Sequence, residues 1–126
     1  EILIGLVGSE MCIRDRNGHH LTIVSTKIGA DNKYLAFIQG DTPLSKIVTD
    51  QKNGKKILVI KDSYGNALVP FLVDNYEEIY VLDPRNIETD LSSFVKTHGI
   101  QDVLLVNYSL IGGNTSYLKA LDKMIG

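Results

Sequence analysis

From Lys56 to Lys61 the chain is apolar and β-branched, then turns polar abruptly at Asp62-Ser63, after which apolar positions recur at helical spacing from about Tyr64 to Asn75. The same succession returns twice. Residues 79–82 read as a strand followed by a helix from about 89 to 97, with Gly99 as its stop. Residues 103–106 read as a strand followed by a helix from about 116 to 125. Upstream, Leu21 to Ile28 is β-rich, Tyr34 to Ile38 is a short apolar run, Gly40 to Pro43 reads as a turn, and Ile47 to Thr49 as a short strand. Near-continuous apolar strands alternating with helices imply parallel pairing and helices on the sheet faces. The expected fold is α/β: a three-layer α/β/α arrangement with a mostly parallel, flavodoxin-like sheet. Pro70 falls inside the first helical pattern, where it kinks the helix or delays its start.

This alternation sorts polar residues by sheet edge. Ser63, Asp83 and Asn107 each follow a strand directly and belong at the carboxyl edge, where open α/β sheets bind ligands. His98, just before the third strand, belongs at the opposite edge. For Ser63 two readings are open. It is the N-cap of the following helix, or a nucleophile facing the backbone N–H groups of the new turn. A serine nucleophile also needs a base and a group to orient it. The three histidines are His19, His20 and His98, and they provide no such pairing. Asn107 is either an oxyanion-hole amide, beside the N–H of Ser63 or Tyr64, or a strand-end turn residue. Asp83-Pro84-Arg85 is either a polar substrate contact or a turn with an exposed ion pair. Gly65 and Asn66 allow a tight junction and close approach of substrate, or simply make a turn. Asp62 as a phosphoacceptor lacks an acidic pocket around it, and Gly112-Gly113-Asn114 lacks the lysine and spacing of a phosphate loop.

Composition narrows the class. The 126 residues are 44% hydrophobic and 22% charged with a net charge of −2, which suits one globular domain. That balance offers no electrostatic footing for nucleic acid or an anionic membrane, and no metal or cofactor motif is present. The segment Leu6 to Arg16 reads like one frame of a transposase sequencing adapter, in which CTC GTG GGC TCG GAG ATG TGT ATA AGA GAC encodes Leu6 to Asp15, the alternative being an ordinary apolar strand with a charged turn. Residues 1–16 are therefore expected to lie outside the domain, which would be 17–126, and to make little contact with its core. Cys12, the one cysteine, lies in that segment and so says nothing about redox compartment.

The stretch Lys56 to Arg85 (KILVIKDSYGNALVPFLVDNYEEIYVLDPR) resembles the C-terminal core of the DHHW protein family, an SGNH-hydrolase-like group similar to the alginate O-acetylation proteins of bacterial surfaces. Phe37 to Leu44 and Asp102 to Tyr108 fit the same pattern. The resemblance implies Ser63 as nucleophile; around it, position along the chain makes Asn107 the candidate oxyanion-hole group and Tyr64, Gly65, Asn66, Asp83 and Arg85 the candidate substrate-binding residues. It implies an extracytoplasmic acyltransferase or esterase whose partners are a surface polysaccharide or an acyl-donor protein, working without cofactor or metal. The family's Asp and His come from an upstream Asp-x-His-Trp motif. This sequence contains no tryptophan and no Asp-x-His, so the fold is expected to be incomplete and the fragment inactive by itself. The alternatives are a non-catalytic envelope binding or structural module of the same fold, and a small nucleotide-type ligand domain, which no glycine fingerprint supports.

Overall fold

A computed structural model of the chain describes residues 12–15, 20–21 and 43–126. Six strands, β1 (Cys12–Asp15), β2 (His20–Leu21), β3 (Leu44–Val48), β4 (Lys56–Lys61), β5 (Glu78–Leu82) and β6 (Asp102–Val106), form one sheet in the order β2-β1-β3-β5-β4-β6. The three strands expected to be parallel are so: β4 pairs in parallel with β5 on one side and β6 on the other. The sheet as a whole is mixed, because β3 runs antiparallel to β5, and β1 antiparallel to both β3 and β2. The expectation of a mostly parallel sheet is corrected to that extent. The apolar run in 34–38, the turn over 40–42 and the β-rich residues 22–28 lie outside the described residues.

Cys12–Asp15 pairs with Ser45–Val48 through its backbone. The expectation that residues 1–16 make little contact with the core therefore does not hold for these four. Main-chain ladders form without regard to side-chain identity, so any extended segment can occupy that edge of β3. Residues 1–11 and 16 lie outside the described residues.

β4 and β5 are buried almost throughout because both of their faces are covered. On one face Ile47, Ile57, Val59, Ile79 and Val81 pack against Val69 and Val73. On the other, Leu58, Ile60, Tyr80 and Leu82 pack beneath α1 (Leu91–His98) and α2 (Thr115–Ile125) through Phe94, Val95, Leu121 and Met124. Each fully buried aliphatic side chain contributes about 1.5–3 kcal/mol. Asp90 caps α1 by accepting from Ser93 N, and Gly99 ends it at φ 63°, where the N–H groups of Gly99 and Ile100 close back onto Lys96 and Val95.

The helix expected over residues 64–75 is absent. Two 3-10 turns stand there instead, Ser63–Ala67 and Val69–Leu72. Their bonds all run back three residues: Gly65 N to Asp62 O, Leu68 N to Gly65 O, Phe71 N to Leu68 O. Gly65 and Asn66 are weak helix formers, and Pro70 has no N–H for an i→i−4 ladder. The three-layer expectation changes accordingly. Among the described residues, one face carries two α-helices and the other carries short turns.

Candidate active site at the carboxyl edge of the sheet

Ser63 is not the cap. Asp62 takes that position, with one carboxylate oxygen accepting from Tyr64 N at 3.0 Å and the other from Tyr108 N at 2.7 Å. Asp62 is 3% exposed, and its two oxygens tie the turn after β4 to the segment after β6. Both are committed to backbone donors, so the phosphoacceptor reading of this residue has no support in the geometry. Ser63 is half-buried, and its Oγ accepts from Arg85 Nη2 at 3.2 Å.

Arg85 is held in place from the next strand. Asp83, fully buried, accepts from Arg85 N at 3.1 Å, from Nε at 2.9 Å and from Nη2 at 2.5 Å. Lys61, also fully buried, places Nζ 3.9 Å from the same carboxylate. Alternation explains the meeting: Ile57, Val59 and Lys61 share one face of β4, as Ile79, Val81 and then Asp83 do along β5. The expected turn at Asp83-Pro84-Arg85 exists, with Asn86 N bonded to Asp83 O at 3.1 Å. Its ion pair is not an exposed one, since only the arginine side chain, 37% exposed, reaches solvent. A bidentate guanidinium on a buried carboxylate is a rigid donor, and its Nη2 hydrogen bond sets where the serine oxygen lies.

Gly65 does admit a close approach, but by the protein itself. A Cβ there would lie 2.5 Å from Lys61 Cβ, so the turn can pack over the buried lysine only with glycine. Asn66 is buried beside it, 1% exposed. Tyr64 is 68% exposed and stacks on Tyr108, ring centroids 4.8 Å apart and 16° between planes. Its backbone N–H, the alternative to that of Ser63 for an oxyanion hole, is instead spent on Asp62. Asn107 accepts through Oδ1 from the hydroxyl of buried Tyr117, which orients its amide so that the NH2 group is the end left to donate. Burial first, then the negative charges of Asp62 and Asp83, push the Tyr117 hydroxyl up to about 12, so it stays a donor at neutral pH.

The structure thus gathers Ser63, Asp83, Arg85, Tyr64 and Asn107 at one edge. His98 lies at the other, its ring 5.0 Å from Tyr80 and 4.2 Å from Phe94 and its Nδ1 bonded to Phe94 O. His20 lies on β2, four strand spacings or about 19 Å from β4. Lys61, Tyr108 and Tyr117 were not singled out by the sequence. Lys61 alone left a trace there, a cation in the register of the buried positions with an aspartate at the matching place on the next strand. No group of three or more His, Cys, Asp or Glu among the described residues is arranged to hold a metal ion.

Comparison with known proteins follows this geometry. The family model described as DHHW protein matches residues 10–82. The crystal structure of a DHHW family protein from Eubacterium siraeum superposes with a TM-score of 0.80 at 31% identity, covering 94% of this chain and 42% of that one. The structure of Bacillus cereus PatB1 superposes at 0.67 with 27% identity, and PatB1 with a sulfonyl adduct at 0.66 with 25%; each match covers 86% of this chain and 38% of the other. The chain therefore spans less than half the length of these structures. No curated protein sequence matches it significantly. With more than half of its residues inside the family model, and a 31% identical family member superposing over nearly all of it, the chain belongs to the DHHW family.

Proposed function

We propose that this chain carries the serine-bearing part of a cell-envelope acyltransferase or esterase that acts on a surface glycan, with Ser63 as nucleophile. The observation that carries the reading is the division of labour at the end of β4. Asp62 caps the turn, and the Ser63 hydroxyl is left at the carboxyl edge under a fixed guanidinium. In the reaction, Ser63 Oγ attacks the acyl carbonyl, and its proton passes to a histidine base. The oxyanion is met by the Asn107 amide and the Ser63 N–H, and collapses to an acyl-Ser63 ester as the donor's alcohol leaves with the proton held by the histidine. A glycan hydroxyl or water, giving its proton to the same histidine, then takes the acyl group and releases the Ser63 hydroxyl. No described histidine lies beside Ser63, His98 being at the other edge and His20 four strands away, so base and orienting acid are assigned to an Asp-x-His-Trp segment upstream of Asn17. Family membership and the likeness to PatB1, which is also known with a sulfonyl adduct, support the reading, since sulfonyl groups are captured by activated nucleophiles. The envelope location is part of the same proposal. Among the described residues no helix is long and apolar enough to cross a membrane. A non-catalytic binding module of the same fold is the competing reading, favoured by there being no histidine beside Ser63 among the described residues.

The test is Ser63→Ala in the protein carrying its natural upstream sequence. Acetyl-ester turnover should vanish while the melting temperature holds, because Asp62 and not Ser63 is the N-cap of the turn. Turnover surviving the change sinks the nucleophile assignment and favours the binding module. The 126-residue chain alone should show little hydrolysis, and robust hydrolysis lost on changing His19 or His20 would place the base inside it.

A further inference from the structure

We propose that the Tyr64–Tyr108 stack is the platform on which a pyranose ring of the glycan rests beside Ser63. The proposal builds on the glycan reading above and names the group that holds the sugar. Two aromatic rings stacked in a core would be buried. Here Tyr64 is 68% and Tyr108 42% exposed, so most of that surface is left uncovered by the described residues. The pair is nevertheless built firmly. One buried residue, Asp62, accepts from both tyrosine backbones, at 3.0 and 2.7 Å, and so fixes the base of each ring before any ligand arrives. A site ordered in advance avoids the entropy cost of ordering on binding. Tyr64 follows Ser63 directly and Tyr108 follows Asn107, so the platform stands next to the hydroxyl and the amide.

A pyranose ring matches this surface. Its polarised axial C–H groups lie on the electron-rich face of an aromatic ring, while its hydroxyls bond at the rim. Tyrosine supplies both, a flat apolar face and a phenolic hydroxyl that donates and accepts. Arg85, partly exposed above Ser63, adds a donor for a sugar hydroxyl or carboxylate. A flat stack reads ring shape and not acyl chemistry, which assigns it to the glycan and leaves the acyl group to Ser63.

Titration of the 126-residue chain with a neutral N-acetylhexosamine tetramer and an acidic hexuronate tetramer, followed by NMR of the tyrosine rings, tests the platform. At least one tetramer should bind. Tyr64→Ala and Tyr108→Ala should each weaken that binding about tenfold or more, and Tyr64→Phe and Tyr108→Phe should largely keep it. No binding of either tetramer, or binding indifferent to both alanine changes, overturns the proposal. The two readings separate cleanly. Turnover lost in Ser63→Ala with saccharide binding indifferent to the tyrosines defeats the platform alone. Tyrosine-dependent binding with turnover surviving Ser63→Ala defeats the nucleophile alone.

Discussion

Asp83 is the residue on which the site's electrostatics turn. It is fully buried and faces two cations, Arg85 at 2.5 Å and buried Lys61 at 3.9 Å. Asp83→Asn removes a buried carboxylate charge that faces both Lys61 and Arg85, a loss on the order of 3–5 kcal/mol. Lys61→Met removes the buried charge while Arg85 continues to satisfy the carboxylate, and should cost clearly less. Urea unfolding of the two variants checks the order, and equal losses would show that Lys61 depends little on Asp83. Gly65 is the steric counterpart. Gly65→Ala drives a methyl group into Lys61 Cβ, so either the turn or the strand must move, at about 1–3 kcal/mol. Because Ser63 begins that turn, the same change should also shift the Arg85–Ser63 contact, visible as lower turnover in the protein with its upstream sequence.

Between elements, the two ends of the parallel strands carry different work. At the carboxyl edge the strands deliver the site; at the amino edge they are clamped by charge. Glu78, at the start of β5, receives Lys46 from β3 at 2.9 Å, Lys56 from β4 at 3.2 Å and the Tyr80 hydroxyl at 2.8 Å. Burial raises its carboxyl, but the hydrogen bonds from Lys46, Tyr80 and Lys56 outweigh burial and bring it from 4.5 down to about 2. A folded value below the unfolded one means the stabilisation is present above about pH 4.5 and is lost as pH falls toward 2. Acid unfolding should therefore be steep in that window, and Glu78→Gln should flatten it. An unchanged acid limb in the glutamine variant would place the lost protons elsewhere. The segment after Ser63 shows where element-level reading failed. Its apolar spacing suits a helix, yet Gly65, Asn66 and Pro70 break it into 3-10 turns, and what decides the shape is Gly65 lying on Lys61, a contact between residues that periodicity treats as unrelated.

Across the whole molecule, the parallel strands and the residues at their carboxyl ends were legible because each is a continuous apolar run, imposed on β4 and β5 by burial on both faces and present in the exposed edge strand β6 as well, and each such run ends in a polar residue at a known edge. The antiparallel placement of β3 was not. A five-residue strand with alternating burial is compatible with either direction, and its pairing with β5 is decided by register and not by composition. The site was legible as a list, Ser63, Asp83, Arg85, Tyr64 and Asn107, and not as a network. The cap role passed from Ser63 to Asp62, the Tyr64 N–H was taken by the same carboxylate, and Lys61 and Tyr108 emerged only once strands were adjacent. The adapter-like origin of residues 1–16 remains our proposal, and genomic sequence upstream of Asn17 is its check: codons that differ from the adapter's would sustain it, and the same codons would refute it. The central claim, that Ser63 is an activated nucleophile, is tested most directly by covalent capture. The protein with its natural upstream sequence would be treated with an aryl sulfonyl fluoride and the adduct located by peptide mass spectrometry. A single adduct on Ser63, absent from Ser63→Ala, is the predicted result. An adduct on Tyr64 or another side chain with Ser63 unmodified, or no adduct while acetyl-ester turnover continues, would contradict it.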